Sequence, residues 1–248
     1  MIKQIKAEFK KVFTIRSTYI IFALMFALMF FFGFYVGGWH LDKLDLLDPH
    51  QLYRTAQQSI NFLAIFPALI GLLLITHEYR HNTIAYSLTL SNSRSKVLAS
   101  KIIVITIISL ITTSIVLILA PLFARLGVNA NGLKLTHQSF YFSGIAWKGL
   151  IFGWGYAMVG LLFGALIRNQ IGAIVVLFIV PDTVEGLLSI WLKSNTDYLP
   201  FSSLHTMLGA GQDTAGATIS PIHAMYVFMS YLIVGWAIAW YLFIRRDA

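Results

Sequence analysis

Residues 77–81 read His-Glu-Tyr-Arg-His, an H-E-x-x-H pattern. On a helix, two histidines four apart share a face and can bind zinc, with the glutamate between them as general base. A zinc peptidase also needs a third protein ligand, leaving the fourth position to water. Beyond His77 and His81 the histidines are His40, His50, His137, His205 and His223. Asp182 and Glu185, in "IVPDTVEGLL", form a second candidate: two acids three apart on one helical face of an apolar run.

Which of these groups can meet depends on the elements that carry them. Of the 248 residues, 58% are hydrophobic and 11% charged, and the mean hydropathy is +0.75. A soluble domain is nearer half apolar and a quarter charged. The balance is that of a polytopic membrane protein, with the bilayer as solvent. The absence of cysteine excludes disulfides, thiolate metal sites and cysteine nucleophiles. A span needs about 20 apolar residues, and six segments qualify: about 18–39, 58–76, 97–124, 146–167, 170–191 and 223–244. The expected fold is an all-α integral membrane protein, one domain of six transmembrane helices. The first apolar run is too long for a signal-peptide core and is expected to be a permanent anchor.

Lysine and arginine counts orient the spans. With the N-terminus cytoplasmic, the inner side holds Lys3, Lys6, Lys10, Lys11, Arg16, Arg80, Arg94, Lys96, Lys101, Arg168, Arg245 and Arg246. The outer side holds only Lys43, Arg54, Arg125, Lys134, Lys148 and Lys193. Both termini are expected inside, and this topology accounts for the pI of about 9.7 without nucleic acid as a partner. Residues 1–17 read as an interfacial amphipathic helix: Ile2, Ile5, Phe9 and Val12 recur at helical spacing opposite Lys3, Lys6 and Lys10. Its lysines would face lipid headgroups, although a plain positive-inside anchor has the same composition.

That topology decides against the metal. The other five histidines fall on the outer side, a membrane thickness from His77. Asp182 and Glu185 lie about 21 Å and about 26 Å above Arg168 at about 1.5 Å per residue. Glu8 and Asp247, the remaining inner acids, stand in the terminal segments. H-E-x-x-H is a short motif with a high false-positive risk, so no metal and no catalytic residue is expected here.

The same stretch carries another pattern. Glu78-Tyr79-Arg80, Thr83-Ile84, Leu88 and Ser93-Arg94, ending at Lys101, resemble the E-[FY]-R-x-x-T-I…L…S-R…K signature of bacterial ABC transporter permeases of type 2, the ABC-2 family. The resemblance extends to the amphipathic start, the long first outer loop and "YLPF" at 198–201. It implies half of a machine in the bacterial cytoplasmic membrane. Two permease chains, identical or related, would form an export pathway, and separate ABC ATPase subunits would bind ATP and Mg. No G-x-x-x-x-G-K-[ST] loop occurs in this chain, and no cofactor is expected on it. By this analogy residues 77–96 form a cytoplasmic coupling helix that docks on the ATPase, with Glu78, Tyr79, Arg80, Thr83, Ile84, Leu88 and Arg94 as its contacts. Inner-surface ion pairs of Glu78 and Arg80 that hold this helix, or simple solvation, are the alternatives.

Family resemblance makes residues 192–222 a pair of short outer helices dipping into the membrane. Its apolar residues, Tyr198 and Phe201 among them, support a partly immersed loop; an ordinary outer loop packed on the spans is the alternative. Ionisable groups in hydrocarbon usually face a cavity or a partner. Asp182, Glu185, Tyr198 and Phe201 are therefore candidates for the pathway or outer gate, against a wetted helix end or a buried hydrogen bond. Pro181 is expected to break the fifth span. Gly160-x-x-x-Gly164 offers a close-packing face, within the subunit or across a dimer. An apolar wall with few charges suits an amphipathic peptide, lipid or drug as substrate. A membrane-embedded metalloprotease using His77, Glu78 and His81, or a non-transporting membrane anchor, are the competing functions.

Overall fold

The computed structural model describes residues 2–41, 50–84, 93–134, 142–209 and 219–245, and among them every regular element is a helix. Six helical stretches are long and apolar enough to cross a bilayer: Arg16–Trp39, Gln51–Arg80, Arg94–Ala130, Gly144–Ile167, Gln170–Leu192 and Pro221–Arg245. This is the all-α, six-span architecture expected, with several ends that differ for local reasons.

Helix α1 (Ile2–Val12) precedes the first span. Val12 is buried and Ile5 and Phe9 pack against the core, whereas Lys3, Lys6 and Lys10 are exposed. Extended backbone at Ile15 separates it from α2 (Arg16–Phe30), whose helix continues through a π-helical stretch over Phe31–Trp39. There Gly38 lies so close to the third span that a Cβ would sit 2.9 Å from the Gly127 Cα.

The second span starts seven residues before the apolar run does, because α3 (Gln51–Leu63) is amphipathic and buries Leu52, Ala56 and Ile60. Pro67 cannot donate to the Leu63 carbonyl, and the helix is offset at Ala64 before α4 (Ile65–Arg80) resumes. Helix α5 (Arg94–Ala130) begins at a Ser93 cap whose Oγ accepts from the Lys96 N–H at 3.3 Å. At about 1.5 Å per residue its 37 residues run to about 55 Å, beyond about 30 Å of hydrocarbon.

Helix α6 (Phe142–Ile167) packs most extensively on α4, and these two are the most buried spans. The fifth span is α7 (Gln170–Ile179), a π-helical turn at Val180–Val184, and α8 (Glu185–Leu192). Pro181 thus widens the helix where a break was expected; a π turn absorbs its missing N–H. A 3₁₀ turn (Lys193–Tyr198) leads into α9 (Pro200–Leu208), which ends on left-handed Gly209, and α10 (Pro221–Arg245) is the last span. Ile20, Ile190, Trp191 and Ile233 of the less buried spans are more than half exposed. Water would not tolerate that much apolar surface, whereas lipid does.

Candidate functional site

Four charged side chains meet where α1 lies across the ends of α4 and α5. Glu8 and Lys11 are three apart on α1 and form a 2.7 Å pair. Lys11 also binds Glu78, in the last turn of α4, at 2.5 Å. Lys101, from the second turn of α5, is fully buried and reaches Glu8 at 2.8 Å and Glu78 at 2.9 Å. Its third bond, at 3.0 Å, goes to the Leu74 carbonyl. An ammonium has three donors, and each has an acceptor here. Glu8 and Glu78 are 4% and 5% exposed and Lys101 is fully buried, while Lys11 is partly exposed, so two carboxylates and two ammoniums form a neutral quartet open to its surroundings only at Lys11. Burial pulls the Lys11 ammonium down, but the Glu78 and Glu8 carboxylates outweigh it and hold it above the ordinary lysine value. Beside the quartet α1 covers an open-sided cavity of about 860 Å³, bounded among others by Gln4, Lys10, Leu74, His77, His81 and Val97.

The quartet settles where the motif residues stand. Residues 77–80 continue the second span helix and 94–96 begin the third, so both ends of the expected 77–96 segment belong to the spans. Residues 85–92, including Leu88, lie outside the described residues. Glu78 faces inward to Lys11 and Lys101, a correction to its placement on a polar contact face; a carboxylate this buried needs charged partners. Tyr79 is half-buried with the Arg168 guanidinium 5.2 Å from its ring centre, and Arg80 donates to Gln170 Oε1 at 3.2 Å. Arg94 donates to the Ile244 carbonyl at 3.4 Å. Thr83 is exposed after left-handed Asn82, and Ile84 is buried. These bonds gather the ends of the second, third, fifth and last spans at one end of the bundle. The His77 and His81 rings are 5.7 Å apart. Among the described residues no set of three His, Cys, Asp or Glu converges to hold a metal.

At the opposite end, Glu185 accepts the Phe201 N–H, the Ser202 N–H and the Ser202 hydroxyl at 2.7, 2.7 and 2.8 Å. It is 4% exposed and caps the N-terminus of α9 from the neighbouring span. Donors that would otherwise be orphaned at a helix start are satisfied by this carboxylate. The buried hydrogen bond weighed for Glu185 is therefore its observed setting. Asp182 is exposed. Phe201 is buried and packs near Tyr156, while Tyr198 is 41% exposed and stands edge-on to His223. His205, under Phe152 and Tyr156, has its Nε2 3.0 Å from the Tyr156 hydroxyl. Burial pushes its imidazole down to about 4, against a smaller upward pull from the Asp182 carboxylate. Residues 210–218 of the expected outer loop lie outside the described residues.

Gly160 and Gly164 pack α6 on α4 inside the subunit. A Cβ on Gly160 would lie 2.6 Å from the Ala68 carbonyl carbon, and one on Gly164 would lie 2.9 Å from the Leu72 oxygen. Sequence reasoning missed Glu8, Lys11 and Lys101 as a site. The signal was available: a lysine inside the start of an apolar span needs an acid, and the basic side offers only Glu8, Glu78 and Asp247.

The profile of ABC-2 family transporter proteins matches residues 4–183, which includes the whole quartet. An uncharacterized membrane protein of Bacillus subtilis (strain 168), YdbK, is 26% identical over 211 residues, covering 79% of this chain and 82% of that protein. This multi-pass membrane protein is a transporter component that belongs to the ABC-2 family.

Proposed function

We propose that the chain is a permease subunit of an ATP-driven exporter in the bacterial cytoplasmic membrane. Two such chains, identical or related, line the pathway, and cytoplasmic ABC ATPase subunits carrying ATP and Mg drive it. Both termini and the 77–96 stretch face the cytoplasm in this reading. The observation that carries it is the quartet: α1, α4 and α5 are tied through the buried Lys101, Glu8 and Glu78, directly beside Arg80, Thr83 and Ile84. A push on that stretch cannot be dissipated by sliding one helix end past another, because separation strands a buried charge. It is passed to three elements at once, as a rigid-body switch requires. Asp182, Tyr198 and Phe201 belong to the outer gate, and the apolar spans suit an amphipathic peptide, lipid or drug.

The test is isolation of the tagged full chain from its own membrane, followed by reconstitution with the P-loop ATPase that accompanies it. An ATPase should co-purify, and substrate should stimulate its hydrolysis. Arg80→Ala with Thr83→Ala, both exposed positions, should reduce stimulated hydrolysis and transport by about fivefold or more, the effect of losing about 1–3 kcal/mol of contact. Absence of any ATPase from the purified chain would refute the reading. A double variant with full stimulation would move the contact to another segment of the same end.

A further inference from the structure

We propose that the cavity beneath α1 binds one phospholipid with a primary-amine headgroup. Its position is that of a lipid site: α1 is amphipathic with lysines outward, and the cavity reaches Thr14 and Ile15, where α1 turns into the lipid-facing first span. Ala7, Ile15, Leu74 and Val97 give it apolar walls. A volume of about 860 Å³ lies within the range of roughly 300–1,000 Å³ that ligand pockets occupy, and admits a headgroup with its glycerol and first acyl carbons.

Two buried polar atoms on the wall, Gln4 Oε1 and His77 Nε2, have no hydrogen-bond partner among the described residues. Such atoms call for a ligand or water. Gln4 Oε1 can only accept, so this wall takes an N–H or O–H donor, and a charged N–H makes the stronger bond. His77 Nε2, His81 and Lys10 line the same cavity and supply donors to an anion. A primary ammonium next to a phosphodiester carries both charges in one headgroup. A quaternary ammonium offers Gln4 no N–H, and a glycerol headgroup offers it only a neutral O–H, a weaker donor than an ammonium.

The purified full chain, with any ATPase that accompanies it, would be placed in nanodiscs of equimolar phosphatidylethanolamine, phosphatidylglycerol and phosphatidylcholine. Lipid retained after extraction is then counted by native mass spectrometry. One phosphatidylethanolamine per chain should persist, with about tenfold preference over the other two. Gln4→Leu and His77→Ala should each lower its retention about tenfold, and Lys193→Ala should leave it unchanged. Lys10→Ala, at an exposed position, replaces either variant that fails to elute as a folded species. Equal retention of all three lipids, preference for phosphatidylglycerol, or unaltered retention in the variants would overturn the proposal. So would displacement by millimolar inorganic phosphate or soluble phosphoethanolamine, which would make the ligand a free phosphate compound.

Discussion

Lys101→Met tests the quartet most directly. The substitution keeps the length and apolar stem of a fully buried side chain and deletes only its ammonium. Three bonds disappear, at 2.8, 2.9 and 3.0 Å. The remainder is two carboxylates, at most 5% exposed, sharing the single charge of Lys11. Removing one partner of a buried ion pair costs about 3–5 kcal/mol, since the other charge remains desolvated. For a chain of this size that lowers Tm by roughly 6–20 °C. Thermal unfolding in detergent, followed by intrinsic fluorescence, reads the shift. Glu8→Gln in the Lys101→Met background restores neutrality, so the double variant should recover about 1–3 kcal/mol relative to additivity. Strict additivity, or a Lys101→Met shift under about 2 °C, would mean that the charges are solvated and hold nothing.

Four further outcomes follow from the geometry. Gly160→Ala should lower the yield of folded protein and cost about 1–3 kcal/mol, at the upper end because the new Cβ meets Ala68 backbone, which has no rotamer to yield; size-exclusion fluorescence profiles check it. Glu185→Gln places an amide where three donors converge and should cost about 0.5–2 kcal/mol of capping, read as faster hydrogen exchange confined to Phe201–Leu208. His205 has a folded value of about 4 against about 6.5 unfolded, so its neutral form stabilises the fold above pH 6.5 and that contribution fades toward pH 4. About 2 kcal/mol should be gone by pH 5, and His205→Gln should flatten this part of the pH profile of Tm. In a chain without cysteine, single cysteines at Thr83 and Lys193 should react with an impermeant maleimide from opposite faces of the membrane; labelling of both from outside intact cells would overturn the assigned sidedness.

The spans were legible because hydrocarbon imposes one rule, about 20 apolar residues per crossing, which composition alone reveals. Their ends were not. Gln51–Gln57 reads as polar loop by hydropathy, yet one face of α3 buries Leu52 and Ala56 against the third span. A hydropathy window cannot see a buried stripe on a polar helix. Glu8 and Lys101 show the same limit for the site. Each is a single charge 93 residues from the other, and only the crossing of α1 over α4 and α5 makes them partners. Glu78 was found through its motif, but its inward direction depends on which side of α4 meets Lys11. Gly160 and Gly164 were readable as a packing face, and α4 emerged as their partner only in three dimensions.

Where the molecule is tied and where it is only packed bears on what can move. Helices α4 and α6 meet backbone to backbone at Gly160, and α1 and α5 join α4 through buried charge. Displacing these helices relative to one another opens a void or strands an ion, each costing kcal/mol. The first and fifth spans, like the last, have fewer than a quarter of the residues of their most apolar stretch buried inside the bundle, and lipid replaces lipid-facing contacts at little cost. Both spans also contain π-helical stretches, at Phe31–Trp39 and Val180–Val184, where the hydrogen-bond ladder is already shifted. Such stretches accept bending more readily than a regular helix does. At Gly38 the first span meets α5 nearly backbone to backbone as well, so the mobile part is the outer half of the fifth span, pivoting at Val180–Val184 on a frame of α1, the first span, α4, α5 and α6. Spin labels at Ile20 and Ile190, both lipid-exposed, paired with a reference label at the exposed Ile111 on α5, compare the first span with the fifth. Distances from Ile190 should broaden through the transport cycle while those from Ile20, below its π stretch, stay narrow. Equal broadening of both would show the first span moving as one rod, and the pivot would then lie at Ile15, where α1 turns into it.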